Sequence, residues 1–470
     1  MTHYPNPFDF VPFPSTPILR AEEQFNALGE KVSGYLELEI KALTPVHIMG
    51  KVEANPYRSS MYQQDGRPCI PASSIRGCLR SFTEALTGGW VTQANPKYEK
   101  VYGGAQRNKG RHVGFRTFED YRSNRSSVHN RVSPPAVNSS FKPMSGGEKL
   151  DVASYLFGIV AEGKQEVQAK KSKLWVDDAF LAPTSITSEG CWMPDIALGS
   201  AFMGGAKPSA SNWWYFQPAE VWERNLPRSA PVAEFIGEHF RGRKFYYHQD
   251  PARCISEYDP KTGKWNYPNN AFHPLQLECM ASEKKTLPFR IYLDRVPQPL
   301  FRLLVNILLP GEHIRHKLGY AKAYGYGSIE FILKSAKLRN AGLGIPNVLE
   351  PINVPNENLT NESLAKLGFA DLIDQEALAC LARILGWPDE DLLFMYPQYR
   401  EHEFKQPIQY ANFRRIMLGA SMPARAPVDV RLPHRGRTIA NLLWTLKHPI
   451  DFRLYQENAI GWHKIVKRTP

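Results

Sequence analysis

HKLGYAKAYGYGSIEF, residues 316–331, is a glycine-rich loop that runs into a strand. Gly319, Gly325 and Gly327 leave the backbone without a Cβ where it turns sharply or lies against a neighbour, and amides in such loops can face phosphate oxygens. Lys317 and Lys322 add positive charge. After the loop, Ile329, Phe331 and Leu333 alternate with Ser328, Glu330 and Ile332, the period of a strand with one buried face. The glycine spacing is not G-x-G-x-x-G, and the loop precedes a strand instead of joining strand to helix, so a dinucleotide cofactor is disfavoured. Nor does it match G-x-x-x-x-G-K-[ST]. The same residues also read as a plain turn before a final core strand.

Working outward, Tyr35 to Leu43 (YLELEIKAL) alternates Leu36, Leu38, Ile40 and Ala42 against Glu37, Glu39 and Lys41, a half-buried first strand. An irregular polar stretch to Gln64 and a turn at Asp65-Gly66 follow. In IPASSIRGCLRSFTEAL, Ile75, Cys78, Leu79, Phe82 and Leu86 recur at helical spacing, Ser73 or Ser74 is placed to cap, and Gly88-Gly89 ends the helix. Arg76 and Arg80 share another face. Two serines and an arginine at the positive end of a helix suit a phosphate, although a capped amphipathic helix with solvated arginines looks the same. Lys173 to Phe180 reads as a second strand, Leu287 to Leu293 as a third and Gly325 to Leu333 as a fourth, with an apolar helix at Leu300 to Leu309 stopped by Pro310-Gly311. This order is the α+β, ferredoxin-like (RRM-like) βαββαβ plan.

Around that core the expected domains are an N-terminal arm at 1–34, whose residues 1–20, rich in proline and phenylalanine, read as extended along a surface, core 35–336 with insertions at about 90–150 and 190–285, and an accessory, mostly helical extension at 337–470 with patterns at Gln375 to Leu385 and Thr438 to Leu446. The chain has 470 residues, with 58 lysines and arginines against 46 acidic residues, a formal charge of +12 that points to a polyanionic partner. Its six cysteines, Cys69, Cys78, Cys191, Cys254, Cys279 and Cys380, show no CxxC or Cys/His spacing, which disfavours zinc and suits reduced thiols in the cytoplasm. No export signal and no apolar run of membrane-spanning length is visible. Cations interleave with rings where Arg107, Lys109, Arg111, Arg116, Arg122, Arg125 and Arg131 neighbour Phe115, Phe118 and Tyr121, and again in Arg241-Gly242-Arg243-Lys244-Phe245-Tyr246-Tyr247-His248. That mixture suits single-stranded RNA.

IPASSIRGCLR resembles the IPGSS-[LI]-[KR]-G-x-[LI]-R signature of the RAMP superfamily of CRISPR-associated proteins, and LGYAKAYGYGSIEF resembles its terminal glycine-rich loop. TPVHIMG, YLFG followed by KLWVDDAF, KPS before WWYF, and RGRKFYYH resemble a subgroup of backbone RAMP proteins in type III effector complexes, the match running from about 36 to 336. The resemblance implies an RRM-like core with insertions that polymerises along a guide RNA and splays guide and target bases with a thumb-like hairpin. It implies that Ser73, Ser74, Arg76 and Arg80 hold guide phosphates beside the loop Gly319 to Gly327 with Lys322, and that guide RNA, target RNA and other effector subunits are the partners. Binding would need no cofactor.

Two departures stand out. Ala72 replaces the glycine before the serines, and the aspartate that target-cleaving members carry after the first strand has no counterpart, Glu53 being the acidic residue between Met49 and Gln64. Glu53, or else Asp177 and Asp178, are the candidates for an endoribonuclease, which could use a divalent ion. His47, His313 and His316 are the candidates for a metal-independent guide-processing RNase, with a structural role favoured for His47.

Overall fold

In the computed structural model the described residues are 8–54, 57–91, 139–141, 149–159, 169–181, 192–197, 216–218, 236–240, 242–249, 258–259, 264–265, 276–280, 286–311, 314–340, 350–351 and 370–387. The core elements are β1 (Lys31–Ala42), α1 (Ala72–Leu86), β2 (Leu174–Val176), β3 (Thr286–Pro297), α2 (Gln298–Leu308) and β4 (Ser328–Asn340). The strands lie in the order β4-β1-β3-β2 with every neighbour antiparallel, and His316–Lys317 extends the sheet beyond β4. This is the ferredoxin-like βαββαβ topology expected of the sequence.

The alternation of apolar residues explains the layering. Leu36, Leu38, Ile40 and Ala42 of β1, Leu287, Phe289, Ile291 and Leu293 of β3, and Ile329 and Phe331 of β4 are all buried on one face of the sheet. Onto this face α1 brings Ile75, Leu79, Phe82 and Leu86, and α2 brings Leu300, Leu303, Leu304 and Ile307. One sheet face is therefore sealed by helices; the residues between these positions point the other way.

Several sequence expectations need correction. The second strand is two strands: Leu174–Val176 stays in the main sheet, whereas Ala179–Phe180 pairs with Arg67–Ile70 in another sheet. Asp177-Asp178 is the crossing point, because Asp178 turns away to accept from the amide of Ala72 at 2.6 Å. The stretch read as irregular holds a hairpin, Met49–Ala54 against Tyr57–Met61, whose register shift between Met49 and Val52 hides its period. The proline-rich arm is not laid on a surface: Phe8–Val11 pairs with Arg243–Tyr246, and Phe8, Phe10 and Val11 are buried. β4 continues to Asn340 through a bulge after Leu333, past the point where strand period fails in the sequence. The turn at Asp65-Gly66 is as expected, both residues having positive φ between Gln64 and Arg67.

The Gln375–Ile384 helix forms where its pattern predicts, and Asp374 caps it by accepting from the Ala377 amide at 3.1 Å. It packs into the core, since the Asp374 amide donates to Leu86 O at the end of α1, 2.9 Å away. The basic residues from Arg107 to Arg131, the KPS before WWYF and the first three residues of WWYF, Arg241, His313 and the helical pattern at Thr438 to Leu446 lie outside the described residues.

Candidate nucleic-acid interface

The middle of α1 and the glycine-rich loop meet in space. The Cys78 thiol lies 3.6 Å from Lys317 O, and one turn further on Phe82 packs on the His316 ring at 5.4 Å. The loop is held from beneath by Thr44, whose hydroxyl donates to Gly325 O at 2.7 Å and accepts from the Ser328 amide at 2.9 Å.

Within the loop the glycines serve the fold. Gly319 has φ +83° and a Cβ there would sit 2.5 Å from His47 O; Gly327 has φ +75° and its Cβ would sit 1.9 Å from Leu318 O. Only glycine fits either place. The expectation that freed amides face phosphates fails for three of them. Tyr320 N donates to His47 O at 2.8 Å, Gly325 N to Lys322 O at 3.1 Å and Gly327 N to Pro45 O at 2.8 Å, so these donors are already satisfied. Lys317 is also turned inward, 8% exposed, with its ammonium donating to Lys322 O at 3.1 Å and Tyr326 O at 3.3 Å. Lys322, half-buried beside Cys78, is the loop cation still near the surface.

On α1 the serines do not cap. Pro71 occupies the N-cap without a side-chain bond, and the Asp178 carboxylate receives the first amide instead. That carboxylate places a negative charge where a phosphate was expected. Arg76 donates to Phe157 O, while Arg80 donates to Gly158 O and Glu84 Oε1, each at 2.9 Å. Both arginines thus clasp the end of the Val152–Phe157 helix, whose terminal carbonyls attract cations, and burial lowers the Arg76 pKa. What α1 leaves to solvent is Ser73, Gly77 and Ser81, spaced four apart on one stripe, with Ser74 and Cys78 half-buried beside it. A Cβ on Gly77 would meet nothing within 4 Å.

The RGRKFYYH stretch divides. Arg243 points inward, donating to Gly89 O and Trp90 O and resting 4.9 Å from the Phe13 ring centroid. Burial depresses its pKa. Lys244 points elsewhere, its ammonium 4.3 Å from the Phe8 ring centroid and 4.7 Å from that of Tyr246. Burial and then the charge of Lys322 bring Lys244 down to about 7. This pairing was not readable in the sequence, where the two stand far apart; the ring–cation alternation around Lys244 was the available signal.

His47, His316, Asp177 and Asp178 are occupied in other ways. His47 is fully buried with Nε2 3.1 Å from Ser59 Oγ, the structural role favoured for it. His316 is buried between Phe82 and Phe331, and desolvation brings it down to about 4, so its ring is neutral and walled off from substrate. Asp178 caps α1, and Asp177 accepts from the Tyr292 hydroxyl at 3.2 Å. Glu53 lies in the Met49–Ala54 strand opposite Arg58. Among the described residues no three His, Cys, Asp or Glu side chains gather as a metal site.

A βαββαβ sheet whose last strand is entered through a glycine loop, with that loop seated on the first helix, defines a ferredoxin-like protein built around a helix–loop junction. The RAMP superfamily model matches residues 39–330, and the chain belongs to that superfamily. Among solved structures, a chain from a "Type IV-B CRISPR Complex" is similar at 14% identity over 68% of this chain and 96% of that one, with a TM-score of 0.27. The comparison with curated proteins gave no match.

Proposed function

We propose that this chain is an RNA-binding backbone subunit of a type III CRISPR effector complex, holding guide RNA by its phosphates at the junction of α1 and the glycine loop. The observation that supports this best is the lysine pair. The charge of Lys322 lowers the pKa of Lys244, and Lys322 itself lies beside Cys78, next to the open stripe of Ser73, Gly77 and Ser81. A phosphate between two such cations relieves their repulsion, and the missing Cβ at Gly77 lets a sugar–phosphate backbone lie on the helix. Target RNA would be selected by pairing with the guide, and other effector subunits and the cytoplasm are the expected setting. Binding in this reading uses no cofactor; a divalent ion would enter only with target cleavage. No described helix is long and apolar enough to cross a membrane.

Filter binding of single-stranded RNA across a salt series tests the proposal. Affinity should fall as salt rises, and Lys244→Ala with Lys322→Ala should flatten the log–log slope by about 1.4, roughly 0.7 for each phosphate no longer neutralised. Affinity indifferent to salt and to both substitutions would sink it.

A further inference from the structure

The face of the sheet away from the helices carries an arrangement that the junction does not use. Strand register sets Trp175 of β2 opposite Tyr292 of β3, Tyr292 opposite Tyr35 of β1, and Tyr35 opposite Lys337 of β4, a continuous row across four strands. Tyr35 and Tyr292 are 5.9 Å apart between ring centroids, and Trp175 is 41% exposed. Each end and the middle of the row carry a cation. Lys171 lies 4.8 Å from the Trp175 ring centroid, Arg290 lies 4.9 Å from that of Tyr35, and Lys337 lies 5.7 Å from the same ring.

We infer that this open sheet face is a second single-stranded RNA surface, in which Tyr35, Tyr292 and Trp175 stack bases while Lys171, Arg290 and Lys337 meet the phosphates. Rings on the two central strands of a four-stranded antiparallel sheet are placed as RRM stacking platforms place theirs, and every base offers a π-face to them. The acidic neighbours are held by partners: Glu37 by Arg290 at 2.7 Å and Ser335 at 2.5 Å, Glu39 by Lys334 at 3.7 Å, and Asp294 by Lys171 at 3.7 Å. Asp177 accepts the Tyr292 hydroxyl. A docking face for another protein is depleted of lysine, whereas Lys337 lies in this row and Lys171 over its Trp175 ring, which favours a nucleic acid. The surface lies across the sheet from α1, so it is separate from the junction and does not depend on the reading given to it.

The test uses the full chain carrying Lys244→Ala and Lys322→Ala, so that the junction is impaired, and an unstructured single-stranded RNA containing 4-thiouridine. Adding Tyr35→Ala and Tyr292→Ala should lower the remaining affinity by about tenfold for each ring removed, Trp175→Ala should act in the same direction, and Tyr35→Phe with Tyr292→Phe should retain binding. Ultraviolet cross-links should map to peptides holding residues 35, 175 or 292 and disappear in the alanine variants. Circular dichroism checks that each variant is folded. The inference is overturned if folded alanine variants bind as before, if the phenylalanine pair loses as much as the alanine pair, or if cross-links avoid the sheet. It is overturned equally if the alanine variants lose a co-purifying protein while RNA affinity is unchanged, which would give the face to a protein partner.

Discussion

At the scale of single residues, two glycines with almost the same backbone angle separate strain from crowding. Gly66 has φ +74° and open space around its missing Cβ, whereas Gly327 has φ +75° and Leu318 O 1.9 Å from where a Cβ would sit. Gly66→Ala should cost only the left-handed conformation, about 1–2 kcal/mol. Gly327→Ala adds a backbone collision that no rotamer relieves, and should lower the urea midpoint far more or prevent folding; equal midpoints for the two variants would contradict this crowding. Lys244 provides a pH test at the same scale. Its folded value of about 7 lies below the 10.5 of a free lysine, so burying it works against the charged form. Its sign follows: between 7 and 10.5 the unfolded chain holds a proton that the folded chain has released, and this group's contribution to stability rises with pH across that window. The charge on Lys244 follows the opposite course. Affinity for single-stranded RNA should weaken as pH rises from about 6 to about 8.5, and Lys322→Ala should move that loss to higher pH because a repelling neighbour is gone. A flat pH profile would argue that Lys244 does not meet phosphate.

At the scale of elements, α1 shows what a sequence can and cannot disclose. Its span, its buried stripe and its glycine end were legible because they depend on local period and backbone freedom, and the same holds for the alternation in β1 and β3. The cap and the arginines were not legible. Asp178 reaches α1 from 106 positions away in sequence, and the carbonyls of Phe157 and Gly158 that receive Arg76 and Arg80 are 81 and 78 positions away. Such pairings are set by topology, which a one-dimensional pattern does not encode. The glycine loop was likewise found correctly but misread in part, since a motif shows where glycine is needed without showing whether ligand or chain crowds it. Gly77 distinguishes these cases, because no described residue beyond its own helix comes within 4 Å of where its Cβ would sit. Gly77→Ala should stabilise α1 by about 0.5–1 kcal/mol through helix propensity, raising the thermal midpoint, while weakening RNA affinity if a backbone rests there. Removing the distant cap with Asp178→Ala should do the reverse, costing about 1 kcal/mol of stability. A Gly77→Ala variant that is more stable and binds RNA as well as the parent would place the nucleic acid elsewhere.

At the scale of the whole molecule, the two ends of the described chain are fastened together. Arg383, on the Gln375–Ile384 helix, donates at 2.9 Å to Asp9 Oδ2 and to the Tyr247 hydroxyl. Asp9 is 2% exposed and belongs to the Phe8–Val11 strand, whose Phe10 lies opposite Lys244 and whose Phe8 ring supports the Lys244 ammonium. Arg383 therefore holds the strand that packs against Lys244. Arg383→Met keeps much of the stem but leaves the Asp9 carboxylate without its cation. Breaking a buried pair in this way costs about 3–5 kcal/mol, and the Phe10 amide, which donates to Asp9 at 2.8 Å, together with the Tyr247 hydroxyl, should keep the loss near the lower end. Asp9→Asn combined with Arg383→Met removes both charges and should recover part of that stability. RNA affinity should respond as well: the single variant, examined well below its thermal midpoint, should bind more weakly than the parent because the Phe8–Val11 strand no longer fixes Lys244. Calorimetry and filter binding on the same preparations decide the matter. If stability falls while affinity and its salt slope stay as they were, the strand supports the fold without positioning the cation, and the helix at 375–384 has no part in the interface.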